Sequence, residues 1–297
     1  MTAAIPVYPG SNINGGRRTQ GGYCWLTPNR EVRDIIAYLA IYYAKKHKIA
    51  LLVLIIMSNH IHWDADDPEG NYPDFIRDFH ARVTEVLNHH YGHTGPIWEN
   101  CKPYRARLLD DETIMEKLLY AATNAVWHGL TPCSRQWPGL IFSPEDAGKE
   151  ISVTCPEYLL DNYNCFDEKI DYVVPIPSIY GDTPAKKVRT DFRRRRRRRE
   201  ESLRRERGDS FLGLEKALAV GPDYAPPERD DPRDLSNKLF DCKPENVEAG
   251  LNDLSSFRRD YGQTRRAFTK GNRHVRWPHG TYAMVRWHKC RCKEPLA

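Results

Sequence analysis

The sequence predicts an α+β fold, on three observations. A near-continuous run of β-branched and aliphatic residues from Ile49 to Met57 fits a strand buried on both faces. Apolar residues at helical spacing lie on either side of it, at Val32, Ile35, Ile36, Leu39 and Tyr43 and again at Phe75, Ile76, Phe79, Val83, Val86 and Leu87. Short extended segments fill the gaps, so strands and helices interleave through residues 21–145.

Residues 1–20, rich in Gly, Ser, Asn and Thr, read as a flexible arm. Order begins with a short strand at Tyr23-Cys24-Trp25-Leu26. Asn29 caps a first helix that ends in Lys45-Lys46-His47-Lys48, positive charge that suits a helix C-terminus. After the strand at 49–57, Asn59 marks the turn into a partner strand running from His60 towards Ala65. Alternation there aims His60, His62 and Asp64 one way and Ile61 and Trp63 the other. A second helix runs from Pro73, a good first helical residue, to a stop at Gly92. Ile97-Trp98 and Lys102 to Leu109 are extended. Strand, helix, strand, strand, helix, strand is the split βαββαβ order of ferredoxin-like folds.

A third helix starts at Asp110 or Asp111 and stops at Gly129. On its wheel Ile114, Met115, Leu118, Leu119, Ala122, Ala125 and Val126 fill one arc, while Thr113, Glu116, Lys117, Tyr120, Asn124 and Trp127 share the other. Beyond Trp137-Pro138-Gly139 the periodicity weakens. Residues 146–183 are expected to form a small β extension, with strands at Ile151 to Thr154 and Tyr172 to Ile176. Residues 184–246, basic and then rich in Pro and Asp, read as a linker or a segment that folds on binding. Residues 247–297 read as a C-terminal element with a helix from Val247 to Lys270 and a strand from Thr281 to Arg286.

The net charge of +5 is modest, but seven arginines are consecutive: Arg193, Arg194, Arg195, Arg196, Arg197, Arg198 and Arg199. That concentration points to a polyanionic partner. The eight cysteines make no C-x-x-C pair and no leader pattern opens the chain, which reads as reduced thiols in a cytoplasmic protein. Cys290-Arg291-Cys292 near His288 is a weak metal knuckle, since no matching second pair exists. The apolar region from Ile35 to Met57 is broken by its basic cluster into pieces too short to span a bilayer.

Chemistry concentrates in two short motifs. Met57-Ser58-Asn59-His60-Ile61-His62 puts two imidazoles on one face of a strand, and Tyr120-Ala121-Ala122-Thr123-Asn124 puts a phenol and a carboxamide one helical turn apart. His60 and His62 supply two nitrogen ligands, Asn124 an oxygen as third, and open positions remain for phosphate and water. Mg²⁺ or Mn²⁺ suits that set, with Zn²⁺ a further option. Attack by Tyr120 gives a phosphotyrosyl intermediate that conserves bond energy, and no P-loop is present to supply nucleotide energy. Either motif alone is ordinary: an H-x-H on a strand is more often structural, and Tyr and Asn four apart recur on many helices. Their conjunction around one βαββαβ frame carries the reading.

These residues, with Ile97-Trp98-Glu99, Arg107 to Asp111, Lys117 to Val126, Gly129-Leu130 and Trp137-Pro138-Gly139, resemble in order and spacing the REP-associated tyrosine transposases, a single-tyrosine branch of the HUH endonucleases. The likeness covers residues 23–140, and a looser likeness to the long members continues through Phe211 to Leu214 and Trp277 to Tyr282. It implies a metal-dependent enzyme that cleaves and rejoins single-stranded DNA near hairpins of palindromic repeats. His60 and His62 would be its histidine pair, Tyr120 its nucleophile and Asn124 its third ligand. Ala125 replaces the proline that usually follows the asparagine, and Trp127-His128 stands where a basic and a small residue are common.

Single strands are held by basic grooves with aromatic platforms. Lys117, Trp98, Tyr104, Arg105, Arg107 and Trp127 flank the motifs in sequence and are candidate DNA contacts, and the run Arg193 to Arg199 can follow the phosphates of a hairpin stem. The expected partners are single-stranded and hairpin DNA, with no membrane, for a monomer or homodimer. Two rival readings are a replication initiator or relaxase of the same chemistry, and a non-catalytic nucleic-acid binder that keeps the scaffold.

Overall fold

The computed structural model describes residues 4–100, 103–208, 210–225 and 238–294. The chain runs β1 (Ser11–Arg18), α1 (Arg30–His47), β2 (Ala50–Ile56), β3 (His60–Asp67), α2 (Tyr72–Tyr91), β4 (Tyr104–Leu108), α3 (Asp111–Ala122), α4 (Asn124–Trp127), β5 (Leu140–Phe142), β6 (Glu150–Thr154), α5 (Glu157–Asn162), β7 (Lys169–Val173), α6 (Ala185–Arg207), α7 (Leu214–Leu218), β8 (Phe240–Asp241), α8 (Val247–Thr269) and α9 (Ala283–Arg286). The first six of these elements are βαββαβ, and the main sheet has the order β5-β2-β3-β1-β4-β8. Its four central strands are antiparallel, β5 adds antiparallel to β2, and β8 adds parallel to β4. A separate antiparallel pair, β6 and β7, lies within residues 146–183, and its second strand, expected at Tyr172 to Ile176, is Lys169–Val173.

The opening strand is not where the sequence placed it. Residues 11–18, expected to belong to a flexible arm, are the central strand β1, hydrogen-bonded to β3 on one side and β4 on the other. Its composition hides it, because Ile13 is its one aliphatic residue. Asn12 and Asn14 instead donate across the sheet to Asp66 and Asp64 at 2.9 and 3.0 Å. Gly15 lies over Trp63 and the Tyr72 hydroxyl so closely that a Cβ has no room. Tyr23 to Leu26, expected as the first strand, is a turn whose Leu26 N–H donates to the Ser58 carbonyl at 2.9 Å.

Helices α1 and α2 cover one face of the sheet, burying Ile36, Leu39, Trp63, Phe75 and Phe79. Asn29 caps α1 as expected, accepting from the Val32 N–H at 2.9 Å. Gly92, in the left-handed region, closes α2. The other face is covered by α3 and α6 through Ile55, Ala106, Leu108, Leu118, Trp137 and Phe192. Trp137 donates from its indole nitrogen to the Ile56 carbonyl at 2.7 Å, which ties the Trp-Pro-Gly segment to the end of β2.

The segment expected as a basic linker is a 23-residue helix, α6, with Val188 and Phe192 fully buried. It looks like a linker in sequence because its mean composition is so polar, whereas its inward face is apolar and ion-paired. Residues 240–241 of that supposed linker extend the main sheet as β8, and its residues 226–237 lie outside the described ones. The expected helix from Val247 is α8, but the strand expected at Thr281 to Arg286 is instead the short helix α9. Seven cysteines are free thiols and Cys101 lies outside the described residues. No described helix is long and apolar enough to cross a membrane.

Candidate active site

The site is built on β3. His60, His62 and Asp64 alternate onto the sheet face covered by α3, and β1 runs opposite with Arg18, Gly16 and Asn14 as their register partners. Gly16 is required there: a Cβ would stand 2.8 Å from the His62 Nδ1 and 3.1 Å from the Ile61 carbonyl. The imidazole centroids of His60 and His62 are 4.9 Å apart with their planes nearly perpendicular. His60 Nδ1 lies 2.8 Å from the Asn59 Oδ1. A carboxamide oxygen only accepts, so that Nδ1 carries the proton and Nε2 keeps its lone pair.

Both imidazoles are held neutral. Burial, then the neighbouring His62 and His128 rings, keep His60 well below the ordinary imidazole range, against a smaller opposing pull from Asn124. Burial and the His128 ring take His62 down to about 4, with the Gly15 backbone opposing. A ring with a free lone pair at neutral pH is the form that binds a cation.

Tyr120 comes from the last turn of α3 and sets its ring edge-on to His62, 5.8 Å between centroids. The long helix expected from Asp110 to Gly129 breaks at Thr123, whose φ and ψ are −105° and 12°. After the break α4 carries Asn124 and Trp127, His128 follows as its C-terminal cap, and Gly129 stands at φ +70°. Asn124, expected beside Tyr120 as a third ligand with His60 and His62, is fully buried and interacts with His60. Neither its Oδ1 nor its Nδ2 makes a hydrogen bond of ordinary geometry among the described residues. His128 brings a third imidazole, 5.6 Å from His60.

Around this centre lie further polar groups. Asp64 is fully buried, accepts from Asn14 at 3.0 Å and leaves its second oxygen unpartnered. Burial raises its carboxyl to about 7, with Asn14 and Lys117 opposing. Lys117 is ion-paired to Asp241 of β8 at 2.7 Å. Tyr104 faces the same patch, and burial raises its phenol.

The donor set suits a divalent cation. Two neutral imidazoles and an amide oxygen converge, and among the described residues no group of three His, Cys, Asp or Glu side chains offers an alternative cage.

The expected DNA contacts divide. Trp127 is 42% exposed and its ring lies 6.5 Å from that of Tyr120, so it stands beside the phenol at the surface. Tyr104 and Lys117 share the site's face. Trp98, Arg105 and Arg107 do not: strand alternation puts both arginines on the opposite face of the sheet, where Trp98 and Arg105 line a cleft of about 1290 Å³ with His80 and Trp287. Trp98 is buried and donates to the His80 carbonyl, and Arg107 pairs with Asp253 at 2.5 Å. Nearness in sequence to the motifs did not separate the two sides of β4.

The arginine run is mostly engaged by protein. Arg193 and Arg196 bind Glu145, Arg194 and Arg195 bind Asp191, Arg196 also binds Glu200, and Arg199 donates to Thr123 Oγ1. Arg197 and Arg198 are exposed, with no ion pair among the described residues. Sequence reading missed the part played by His128, although it follows Asn124 by one helical turn. It also missed Asn14 and Gly16, for which the only signal was a polar, glycine-containing stretch free of proline.

No protein-family profile matches the chain and no curated protein matches it. Among solved structures, a REP-associated tyrosine transposase bound to a REP hairpin is similar over 48% of this chain and 83% of that one, at 15% identity and a TM-score of 0.40. A Deinococcus radiodurans protein provisionally named a transposase is similar over 40% of this chain and 95% of that one, at 16% identity and a TM-score of 0.30.

Proposed function

We propose that this protein is a tyrosine transposase, a metal-assisted strand transferase that cuts and rejoins single-stranded DNA at hairpin-forming repeats. The observation that carries the reading is the convergence in one chain of the Tyr120 ring on the imidazole pair, 5.8 Å from His62, beside the buried carboxamide of Asn124. The likeness of the two motifs to REP-associated tyrosine transposases supports it independently.

His60, His62 and Asn124 would hold Mg²⁺ or Mn²⁺, which when bound neutralises charge on the non-bridging phosphate oxygens. Tyr120 is the nucleophile. Its Oη bonds to phosphorus as the 3′ oxygen of the preceding nucleotide leaves, giving a 5′-phosphotyrosine and a free 3′ hydroxyl. Attack by a 3′ hydroxyl on that phosphotyrosine reverses the step, so rejoining needs no nucleotide cofactor. Trp127 offers an exposed face for a base, worth about 1–3 kcal/mol of stacking. Lys117 holds its charge near the site through Asp241, and the outward Arg197 and Arg198 suit stem phosphates.

The test uses a labelled single-stranded hairpin oligonucleotide, drawn from inverted repeats beside the gene, with Mg²⁺ or Mn²⁺. A denaturant-resistant protein–DNA adduct is expected from the wild type and none from Tyr120→Phe. EDTA is expected to abolish the adduct and spare most binding. An adduct that survives Tyr120→Phe reassigns the nucleophile, and no adduct from any repeat tested favours a binding protein.

A further inference from the structure

The arginines of α6 divide by helical face. Phe192, Arg196, Arg199, Glu200, Leu203 and Arg207 recur at the three- and four-residue spacing of one face, and the polar ones bond to other parts of the fold. Arg199 donates from Nε to Thr123 Oγ1 at 3.1 Å. Glu200 accepts from the Ser134 N–H at 2.8 Å, Arg204 donates to the Pro132 carbonyl at 2.8 Å, and Arg207 donates to the Trp127 carbonyl. The segment from Thr123 to Ser134 is therefore fastened to one helix at four points, and that segment carries Asn124, Trp127 and His128.

Thr123 is the decisive point. It is fully buried, and its hydroxyl donates to the Leu119 carbonyl at 2.7 Å while accepting from Arg199. A threonine that bonds back to the carbonyl four residues earlier bends a helix, and the break between α3 and α4 falls on this residue. Thr123 stands between Tyr120 and Asn124, so the backbone angles at this residue set how the carboxamide is presented relative to the Tyr120 ring.

We infer that Arg199 is a positioning residue: by holding Thr123 Oγ1 it fixes the break between α3 and α4, and with it the direction in which Asn124 presents its carboxamide to His60 and His62. The inference rests on reading Asn124 as part of the site. It gives the arginine run a second task besides phosphate contact, divided by helical face: Arg199 inward, Arg197 and Arg198 outward.

The test uses the full chain and Mn²⁺ alone as probe, with affinity followed by electron paramagnetic resonance. Arg199→Ala is expected to weaken Mn²⁺ binding by about tenfold, the usual effect of losing an outer-shell partner. Thr123→Val also removes the bond to the Leu119 carbonyl and should weaken it at least as much, and adding Arg199→Ala to Thr123→Val should weaken it no further, because the arginine then has no hydroxyl to hold. Arg199→Lys keeps a donor and should recover most of the affinity. Hairpin binding by the EDTA-treated protein should stay within about twofold, because Arg199 faces inward.

Unchanged Mn²⁺ affinity in folded Arg199→Ala overturns the inference, as does lost hairpin binding with Mn²⁺ affinity intact. If the wild type takes no Mn²⁺, the metal reading fails, and the side-chain amide resonance of Asn124 in the metal-free protein decides the positioning role. A shifted or doubled resonance in Arg199→Ala supports it, and an unchanged one overturns it. Should Arg199→Ala not fold, Thr123→Val and Arg199→Lys settle the same measurements.

Discussion

Asn124 is a residue whose chemistry works against the stability of its own fold. Its carboxamide is fully buried with neither polar atom in a hydrogen bond of ordinary geometry, and a buried unsatisfied group costs about 1–3 kcal/mol. Asn124→Leu, close in shape and without that cost, is therefore expected to raise the free energy of unfolding in urea by about 1 kcal/mol while abolishing adduct formation. A destabilised Asn124→Leu would mean that the carboxamide serves the fold. The two histidines could be read from sequence because alternation along a strand needs no tertiary knowledge, and Tyr120 because a short helix fixes its neighbours. The buried pose of Asn124 was not legible, since it depends on a hydroxyl at Thr123 and an arginine 76 residues away. His128, whose ring lies 5.6 Å from that of His60, was not read as part of the site because its approach is tertiary.

Among the elements, α3 shows how its ends are fixed. Asp110 caps it, accepting from the Thr113 N–H at 2.8 Å, and its other oxygen accepts from the Lys243 N–H at 2.8 Å. Burial opposes ionisation, but these N–H groups outweigh it and draw the carboxyl down to about 2. The folded value lies below the unfolded one of about 3.9, so the cap's contribution is fully present above about pH 4 and disappears as the pH falls towards 2. Asp110→Ala should lose about 1 kcal/mol at neutral pH, and its deficit against the wild type should close over that acid window when unfolding is followed by circular dichroism. On α6, Arg196 sits between Glu145 and Glu200, all three at most 4% exposed. Removing it leaves the buried Glu145 held by Arg193 alone and the buried Glu200 by the Ser134 N–H, so Arg196→Ala should cost about 3 kcal/mol, whereas the exposed Arg194→Ala should cost under about 1 kcal/mol. Equal effects in denaturant melts would deny the division of the run by face. Neither α6 nor β1 was recognisable in advance, for opposite reasons. The inward face of α6 is partly charged and ion-paired, so its polarity mimicked a linker. Apart from Ile13, the buried positions of β1 are asparagine and glycine, because one of its faces borders the polar site and at Gly15 the other meets Trp63 too closely for a side chain.

For the molecule as a whole, the question is which chain's tyrosine serves which histidines. The βαββαβ order gives the sheet, the sheet gives β3 two different faces, and α3 returns from β4 across the face that bears the imidazoles. Because α3 follows β4 directly, Tyr120 reaches His62 within its own chain, at 5.8 Å between rings, without an exchanged helix or a neighbouring subunit. A single copy therefore brings Tyr120 and Asn124 to its own histidine pair. If so, a mixture of Tyr120→Phe with a His60→Ala, His62→Ala double variant should form no more adduct than the two proteins do separately. The initial rate of adduct formation by the wild type at saturating hairpin should also stay first order in protein on dilution. Recovered activity in the mixture would show that the phenol crosses between chains, and the contact seen between Tyr120 and His62 would then belong to a resting arrangement. The bonds from α6 to residues 123–134, behind Tyr120, lie within that same chain.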